Sequence, residues 1–239
     1  MLLNKGETDY HCHILPGLDD GPSEKEASIE MAAILAQAGY REVYCTPHLI
    51  KGIYEASTEQ VLHERELLQR ELDIAGIGIK LLAGREYYLD EFLLDLIRQP
   101  LLLEGTNWIM IEIPAHTSVD LVKDTLFEVK RSGYTPFIAH PERCRLLEMP
   151  DKESKRESAL KAWLSRISDE KHGNESGNEL LGYLIKLGCQ FQANLGSRKG
   201  MYGGRVKTNA RYLETNGTYT HAGTDAHSPD AAREILGFR

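Results

Sequence analysis

Apolar and polar positions along the chain switch repeatedly between a period of two and a period near 3.6. That switch predicts strands alternating with amphipathic helices. Short apolar or alternating runs over residues 8–13, 42–46, 79–83, 108–113, 136–139, 189–194 and 219–223 read as seven strands. Helical periodicity predicts helices over 23–39, 58–75, 89–98, 119–131, 180–186 and 207–215. Ser23 is read as the N-cap of the first helix, with Glu26 as its capping-box partner and Gly39 as its stop. Pro100 closes the third helix and Gly133 the fourth. Strands joined by crossover helices pair in parallel, so the chain is α/β, and seven such units favour a closed, distorted barrel over an open doubly wound sheet.

Residues 151–188 break the rhythm. Their first half is strongly charged, and 169–178 has the polarity of an exposed loop. The reading is a single domain over 1–239, with 151–179 as a surface excursion within it.

Composition narrows the function. Of 239 residues, 41% are hydrophobic and 27% charged, an ordinary globular balance. A formal charge of -8 disfavours nonspecific nucleic-acid binding. Residues 1–7 are too short and too quickly polar for a signal peptide, and no apolar run approaches the roughly 20 residues of a membrane span. The four cysteines, Cys12, Cys45, Cys144 and Cys189, are scattered without a CxxC pair. That pattern indicates neither a zinc knuckle nor a disulfide scaffold, and points to the reducing cytoplasm. None has an arginine six positions later, so a phosphate-cradling cysteine loop is absent.

Functional groups in such barrels gather where strands end and loops begin. Here those exits are loaded: His11 and His13 at the first, His48 at the second, Glu86 at the third, Glu112 at the fourth, His140 at the fifth, and Asp225 with His227 at the seventh. Imidazole and carboxylate together suit manganese, iron or zinc. Alternation puts His11 and His13 on one face and Cys12 on the other; Asp9 shares the histidine face, where it can orient a ligand imidazole. Asp19 and Asp20 read equally as turn residues or as metal groups. Glu86 and Glu112 lie beside apolar runs, where the alternative to a metal is a buried ion pair. Arg143 suits an anionic substrate, the alternative being a salt bridge to Glu142. His63, His116, His172 and His221 lack comparable placement, although His116 can line the rim.

Asp9-Tyr-His-Cys-His-Ile-Leu-Pro-Gly-Leu-Asp-Asp-Gly-Pro22 resembles the opening signature of PHP-domain (polymerase and histidinol phosphatase) phosphoesterases. More narrowly it resembles the bacterial manganese-dependent tyrosine phosphatases of capsule and exopolysaccharide operons, the CpsB/YwqE type. Thr-Pro-His, Gly-Arg-Glu-Tyr-Tyr, Ile-Glu-Ile, Ala-His-Pro-Glu-Arg and Gly-Thr-Asp-Ala-His follow in that family's order, out to His227. The resemblance implies a distorted (β/α)7 TIM-like barrel with three metal ions, usually Mn2+, with Fe, Zn or Mg as alternatives. It assigns His11, His13, Asp20, His48, Glu86, Glu112, His140, Asp225 and His227 to the metals, and a catalytic set of Arg143, Asp20 and His48. Arg143 takes the phosphate, joined by Arg233 as the nearest candidate for a second arginine, because this chain stops at Arg239 where family members continue.

The implied reaction is hydrolysis of phosphotyrosine by metal-activated water. The implied substrate is the tail of a membrane-associated tyrosine kinase of polysaccharide export, without nucleic acid or membrane insertion and with room for a homo-oligomer. Two rivals remain. One is a small-molecule phosphomonoesterase of the histidinol-phosphatase kind, and the other a non-catalytic, metal-stabilised module that docks onto a kinase.

Overall fold

Every pairing between named strands is parallel, as the alternation of strands and helices predicts. The structure is a computed structural model that describes residues 7–149 and 178–238. Its strands are β1 (Thr8–Cys12), β2 (Glu42–Cys45), β3 (His48–Leu49), β4 (Lys80–Ala83), β5 (Glu86–Tyr88), β6 (Trp108–Glu112), β7 (Thr135–Ile138), β8 (Gln190–Asn194) and β9 (His221–Gly223). The helices are α1 (Lys25–Gln37), α2 (Thr58–Ile74), α3 (Leu93–Leu96), α4 (Val119–Arg131), α5 (Glu179–Leu187), α6 (Leu195–Lys199), α7 (Gly203–Thr215) and α8 (Pro229–Leu236). The expected excursion over 151–179 lies outside the described residues, apart from Asn178 and Glu179, which cap and open α5.

Two of the seven expected strands, 42–46 and 79–83, form as β2 and β4, and each is followed by a short strand that was not expected, β3 and β5. Thr46-Pro47 separates β2 from β3, and Gly84-Arg85 separates β4 from β5. Proline has no N–H for a ladder, and the pairing shifts sheets at these breaks. The strands before the breaks pair as β1-β2-β4, and those after them join β3-β5-β6-β7-β8-β9. Beside β4 the wall is completed by a turn: Glu104 N donates to Ala83 O at 2.9 Å, and Leu103 N donates to Trp108 O at 3.1 Å. The ends of the curled sheet meet where Asp225 N donates to His11 O (2.7 Å) and His13 N to Ala226 O (3.1 Å). The result is a distorted barrel.

Apolar side chains pack against its strands in three clusters. Tyr44, Leu82, Leu103, Met110, Phe137 and Ala139 form one, with Tyr10 and Trp108 packed against it. A second joins β1 and β2 to α1, α2 and α8 through residues such as Val43, Met31, Leu68 and Ile235. The third joins β5, β6 and β7 to α4 and α5 through Ile111, Ile138, Leu126 and Leu184. Each fully buried large side chain contributes roughly 1.5–3 kcal/mol, so the wall behind the strand exits is stiff.

Local chemistry explains where expectation and structure differ. The N-cap of α1 is Glu24 and makes no side-chain hydrogen bond, so the Ser23–Glu26 capping box does not form. A capping box does occur at α2, between Ser57 and Gln60. The third helix shrinks to one turn because Leu89 N is still held by Glu112 O at 3.0 Å and Asp90 Oδ1 accepts from Phe92 N. Helix α4 spans the expected residues, with Ser118 accepting from Leu121 N.

Closing the barrel depends on a glycine. A Cβ on Gly223 would lie 2.7 Å from His11 Cβ and 2.8 Å from His11 N. Gly223→Ala must therefore push β9 away from β1. Overpacking of this kind costs about 1–3 kcal/mol, so the melting temperature should fall by roughly 2–12 °C. An unchanged melting curve would show that the two strands are not held this close.

Candidate metal centre

Every loaded strand exit converges on one rim. His11 and His13 leave the end of β1, and alternation points Cys12 away into an apolar cluster, as expected. His48 opens β3 and Glu86 opens β5, and the two are register partners. Glu112 ends β6, His140 follows β7, and Asp225 and His227 follow β9. Eight of the nine expected ligands fall into three overlapping groups: His13, Asp20, His48 and His227; His11, His13, Glu86 and Asp225; and His48, Glu86 and Glu112. Within each group the donor atoms lie within 4.8 Å of one another. The ninth, His140, places Nε2 3.0 Å from Glu86 Oε1.

Glu86 is the hub. Its Oε2 lies 3.1 Å from His11 Nε2, 3.3 Å from His13 Nε2 and 3.2 Å from His48 Nδ1. The His48 nitrogen is buried and, despite that proximity, is aligned for no hydrogen bond. Asp225 Oδ1 sits 3.3 Å from both His11 Nε2 and His13 Nε2. Its Oδ2 faces Arg143 Nη2 at 2.5 Å and accepts from Asn194 Nδ2 at 2.8 Å. Asp20 is exposed at the mouth, 3.4 Å from His227 and 3.8 Å from His48.

The acceptors around the imidazoles select one tautomer. His11 Nδ1 donates to Gln192 Oε1 (3.1 Å), His13 Nδ1 to Asp19 Oδ2 (2.7 Å) and His227 Nδ1 to the Asp225 carbonyl (2.9 Å). Each Nε2 is thereby turned toward the cluster, where its lone pair would serve a cation that displaces the proton, the arrangement of a metal-ligating histidine. Gln192 Oε1 also accepts from His140 N at 2.9 Å, so one side chain sets two exits. His140 and Asp225 have φ of 30° and 54°, the only non-glycine residues with positive φ among those described. Strain of this kind collects at functional sites and costs of order 1–3 kcal/mol per residue.

Electrostatics point the same way. Burial opposes charge on His11 and His13, yet Glu86 and Asp225, together with Asp19 at His13, outweigh it and hold both imidazoles above their ordinary pKa. Burial and the nearby Arg143 guanidinium push His140 down to about 4. Burial next to Glu86 and Asp225 pushes Glu112 up to about 8. Against burial, the imidazoles pull Glu86 well below the usual carboxylate range. The centre thus holds crowded carboxylates around imidazoles, with His11 Nε2 and His13 Nε2 only 3.0 Å apart. Divalent cations fit this donor set: they would take the place of the protons and relieve the facing nitrogens.

Two expectations need correction, and the alternative given for Arg143 falls away. Asp9 does not orient an imidazole: its carboxylate accepts from His11 N (3.2 Å), Thr224 N (2.9 Å) and Thr224 Oγ1 (2.6 Å), tying β1 to the chain beyond β9. Its burial raises the pKa to about 6. Arg233 is not brought to the cluster, because its guanidinium pairs with Glu30 and Asp230. Arg143 does not pair with Glu142, which is buried and accepts from Asn194 N and Tyr219 Oη. Of the histidines set aside, His116 lies near Tyr88, ring centroids 6.4 Å apart, and His221 packs on Tyr10 among aromatic rings.

Sequence reasoning missed Gln192 and Asn194 and left Asp19 open. The sixth strand is the one exit without a candidate ligand. Its readable signal was the polar series Gln190, Gln192, Asn194 inside a strand of otherwise apolar residues.

The chain matches the family model for capsular polysaccharide synthesis, CpsB/CapC, over residues 7–159. It is 31% identical over 223 residues to the tyrosine-protein phosphatase YwqE of Bacillus subtilis, covering 92% of this chain and 77% of that protein. Over shorter spans it is 31% identical to the tyrosine-protein phosphatase CpsB of Streptococcus pneumoniae and 29% identical to a putative tyrosine-protein phosphatase, CapC, of Staphylococcus aureus. Those alignments cover 60% and 56% of this chain, and 60% and 54% of the two relatives. A crystal structure from work on B. subtilis YwqE and S. pneumoniae CpsB, described as metal-dependent tyrosine phosphatases, superposes with a TM-score of 0.73 at 28% identity, covering 96% of this chain and 85% of that one. By its motifs, its fold and these matches, the chain belongs to the CpsB/CapC family of capsular polysaccharide synthesis.

Proposed function

We propose that this protein is a metal-dependent phosphatase of phosphotyrosine in proteins, with manganese at a centre of three ions. The observation that carries this reading is the convergence of three overlapping donor groups beside Arg143. Bound cations supply Lewis acidity, neutralising phosphoryl oxygens and making a nucleophilic water available near neutral pH. Arg143 would bind the phosphoryl group, Gln192 and Asp19 hold the imidazoles in their ligand tautomer, and Asp20 faces the mouth. A tyrosyl leaving group, with a pKa of about 10, departs with less help from an acid than an alkoxide needs.

The cysteines support water rather than thiolate as nucleophile. All four are free and buried. Burial raises every thiol, to about 11 at Cys144 and about 12 at Cys189, so thiolate is scarce at neutral pH. The substrate we infer is the phosphorylated tail of a membrane-associated tyrosine kinase of polysaccharide export, met in the cytoplasm. Among the described residues no helix is long and apolar enough to cross a membrane.

Exhaustive chelation should remove phosphotyrosine hydrolysis and lower the melting temperature, since ions that bind the native state alone stabilise it. Manganese should restore both. Iodoacetamide should leave turnover unchanged. Hydrolysis that survives chelation would overturn the mechanism, and better turnover of histidinol phosphate than of a phosphotyrosine peptide would overturn the substrate class.

A further inference from the structure

Arg143 is held on two sides by groups of different kinds. One edge meets Asp225 through Nη2, while Nε is buried without a hydrogen-bond partner, so hydrogen bonding alone leaves the guanidinium plane weakly fixed. The missing restraint is a ring face: Arg143 Cζ lies 3.8 Å from the centroid of Tyr202. That is stacking distance for a planar cation on an aromatic face. Tyr202 belongs to none of the apolar clusters and remains 38% exposed, so core packing does not account for it.

Its placement is built into the backbone. Tyr202 sits between Gly200 and Gly203, at φ of 93° and 89°, in a turn closed by Gly203 N donating to Gly200 O at 3.0 Å. A Cβ on Gly196 would lie 3.1 Å from Tyr202 Cε2, so α6 leaves the ring only enough room to lie against it. We propose that Tyr202 is the positioning residue of Arg143, its ring face fixing the guanidinium plane so that the open edge is presented to a phosphoryl oxygen. The proposal rests on the phosphatase reading above for the identity of the anion.

The test compares Tyr202→Leu and Tyr202→Phe, each alone and combined with Arg143→Ala, in protein of measured metal content. The phenol oxygen also meets the Asn194 side chain, and the Phe variant separates that contact from the ring face. Tyr202→Leu should raise KM for a phosphotyrosine peptide, and the inhibition constant of inorganic phosphate, about tenfold, with metal content and the phosphate-free melting temperature unchanged. Tyr202→Phe should stay within about twofold of the parent, because the face is kept. In the Arg143→Ala background Tyr202→Leu should add nothing, the signature of action through one partner.

Equal impairment of the Phe and Leu variants, a full loss without Arg143, or an unaltered Leu variant would each overturn the proposal. If Tyr202→Leu does not fold, Tyr202→Met, which keeps the bulk without the face, takes its place with the same outcomes. Phosphate-induced thermal stabilisation reads the same contact without turnover. A wild-type protein that is stabilised by phosphate through Arg143 and Tyr202, yet inert on phosphotyrosine, would sink the substrate reading and leave this inference standing.

Discussion

Glu86→Gln is expected to be the most damaging conservative change in the molecule. The substitution keeps shape and volume but removes the one carboxylate that four imidazoles share: His11, His13 and His48 on one oxygen and His140 on the other. Glu86 is fully buried, so water cannot replace the lost charge. It also belongs to two of the three donor groups, and no neighbouring carboxylate can serve both. An amide is a poor ligand for a dication and cannot offset a second positive charge. We expect metal content to fall by at least one ion per chain. We also expect kcat/KM to drop by more than about 10³-fold, or ~4 kcal/mol of transition-state stabilisation. The chain should still fold, since uncompensated imidazoles can release their protons. Metal analysis beside steady-state kinetics checks both halves. Full metal occupancy with unchanged kinetics would refute the hub assignment.

The elements that could be read in advance are those whose signals are local. Helix α4 has an apolar stripe, Ser118 before it and Gly133 after it, and it runs over the expected residues. The strand exits carried their ligands in sequence because the parallel topology places every exit at the same end of the barrel. What stayed hidden depends on contacts between distant residues. Gln192 reaches His11 across 181 positions, and Asp9 reaches Thr224 across 215. No window of the chain contains both partners. The positive φ of His140 and Asp225 follows from the site rather than from residue preference. Helix α8 is a different case: Ser228 caps it, Pro229 opens it and Gly237 stops it. Those signals were local and legible, and only Arg233 was drawn from that stretch. Helix α7 begins four residues earlier than expected because Gly203 and Gly204, poor helix formers, are nonetheless included.

Arg143→Ala should separate substrate binding and chemistry from metal binding. Asp225 approaches the donor cluster with Oδ1 and Arg143 with Oδ2, so the two contacts use different atoms of one carboxylate. Losing the guanidinium leaves Oδ2 with the Asn194 amide, which keeps the carboxylate oriented. Metal content should therefore hold. Charge that develops on the phosphoryl oxygens loses its fixed partner, and kcat/KM should fall by about 10²–10³-fold, or ~3–4 kcal/mol. Arg143→Lys should recover only part of this, about tenfold, because an ammonium restores the charge but neither the planar fork nor the face that stacks on Tyr202. Inorganic phosphate should bind more weakly to both variants, in the same order as the loss of kcat/KM. A metal-replete Arg143→Ala enzyme with parental kinetics would remove Arg143 from the reaction. Loss of metal along with activity would instead make it a brace for Asp225.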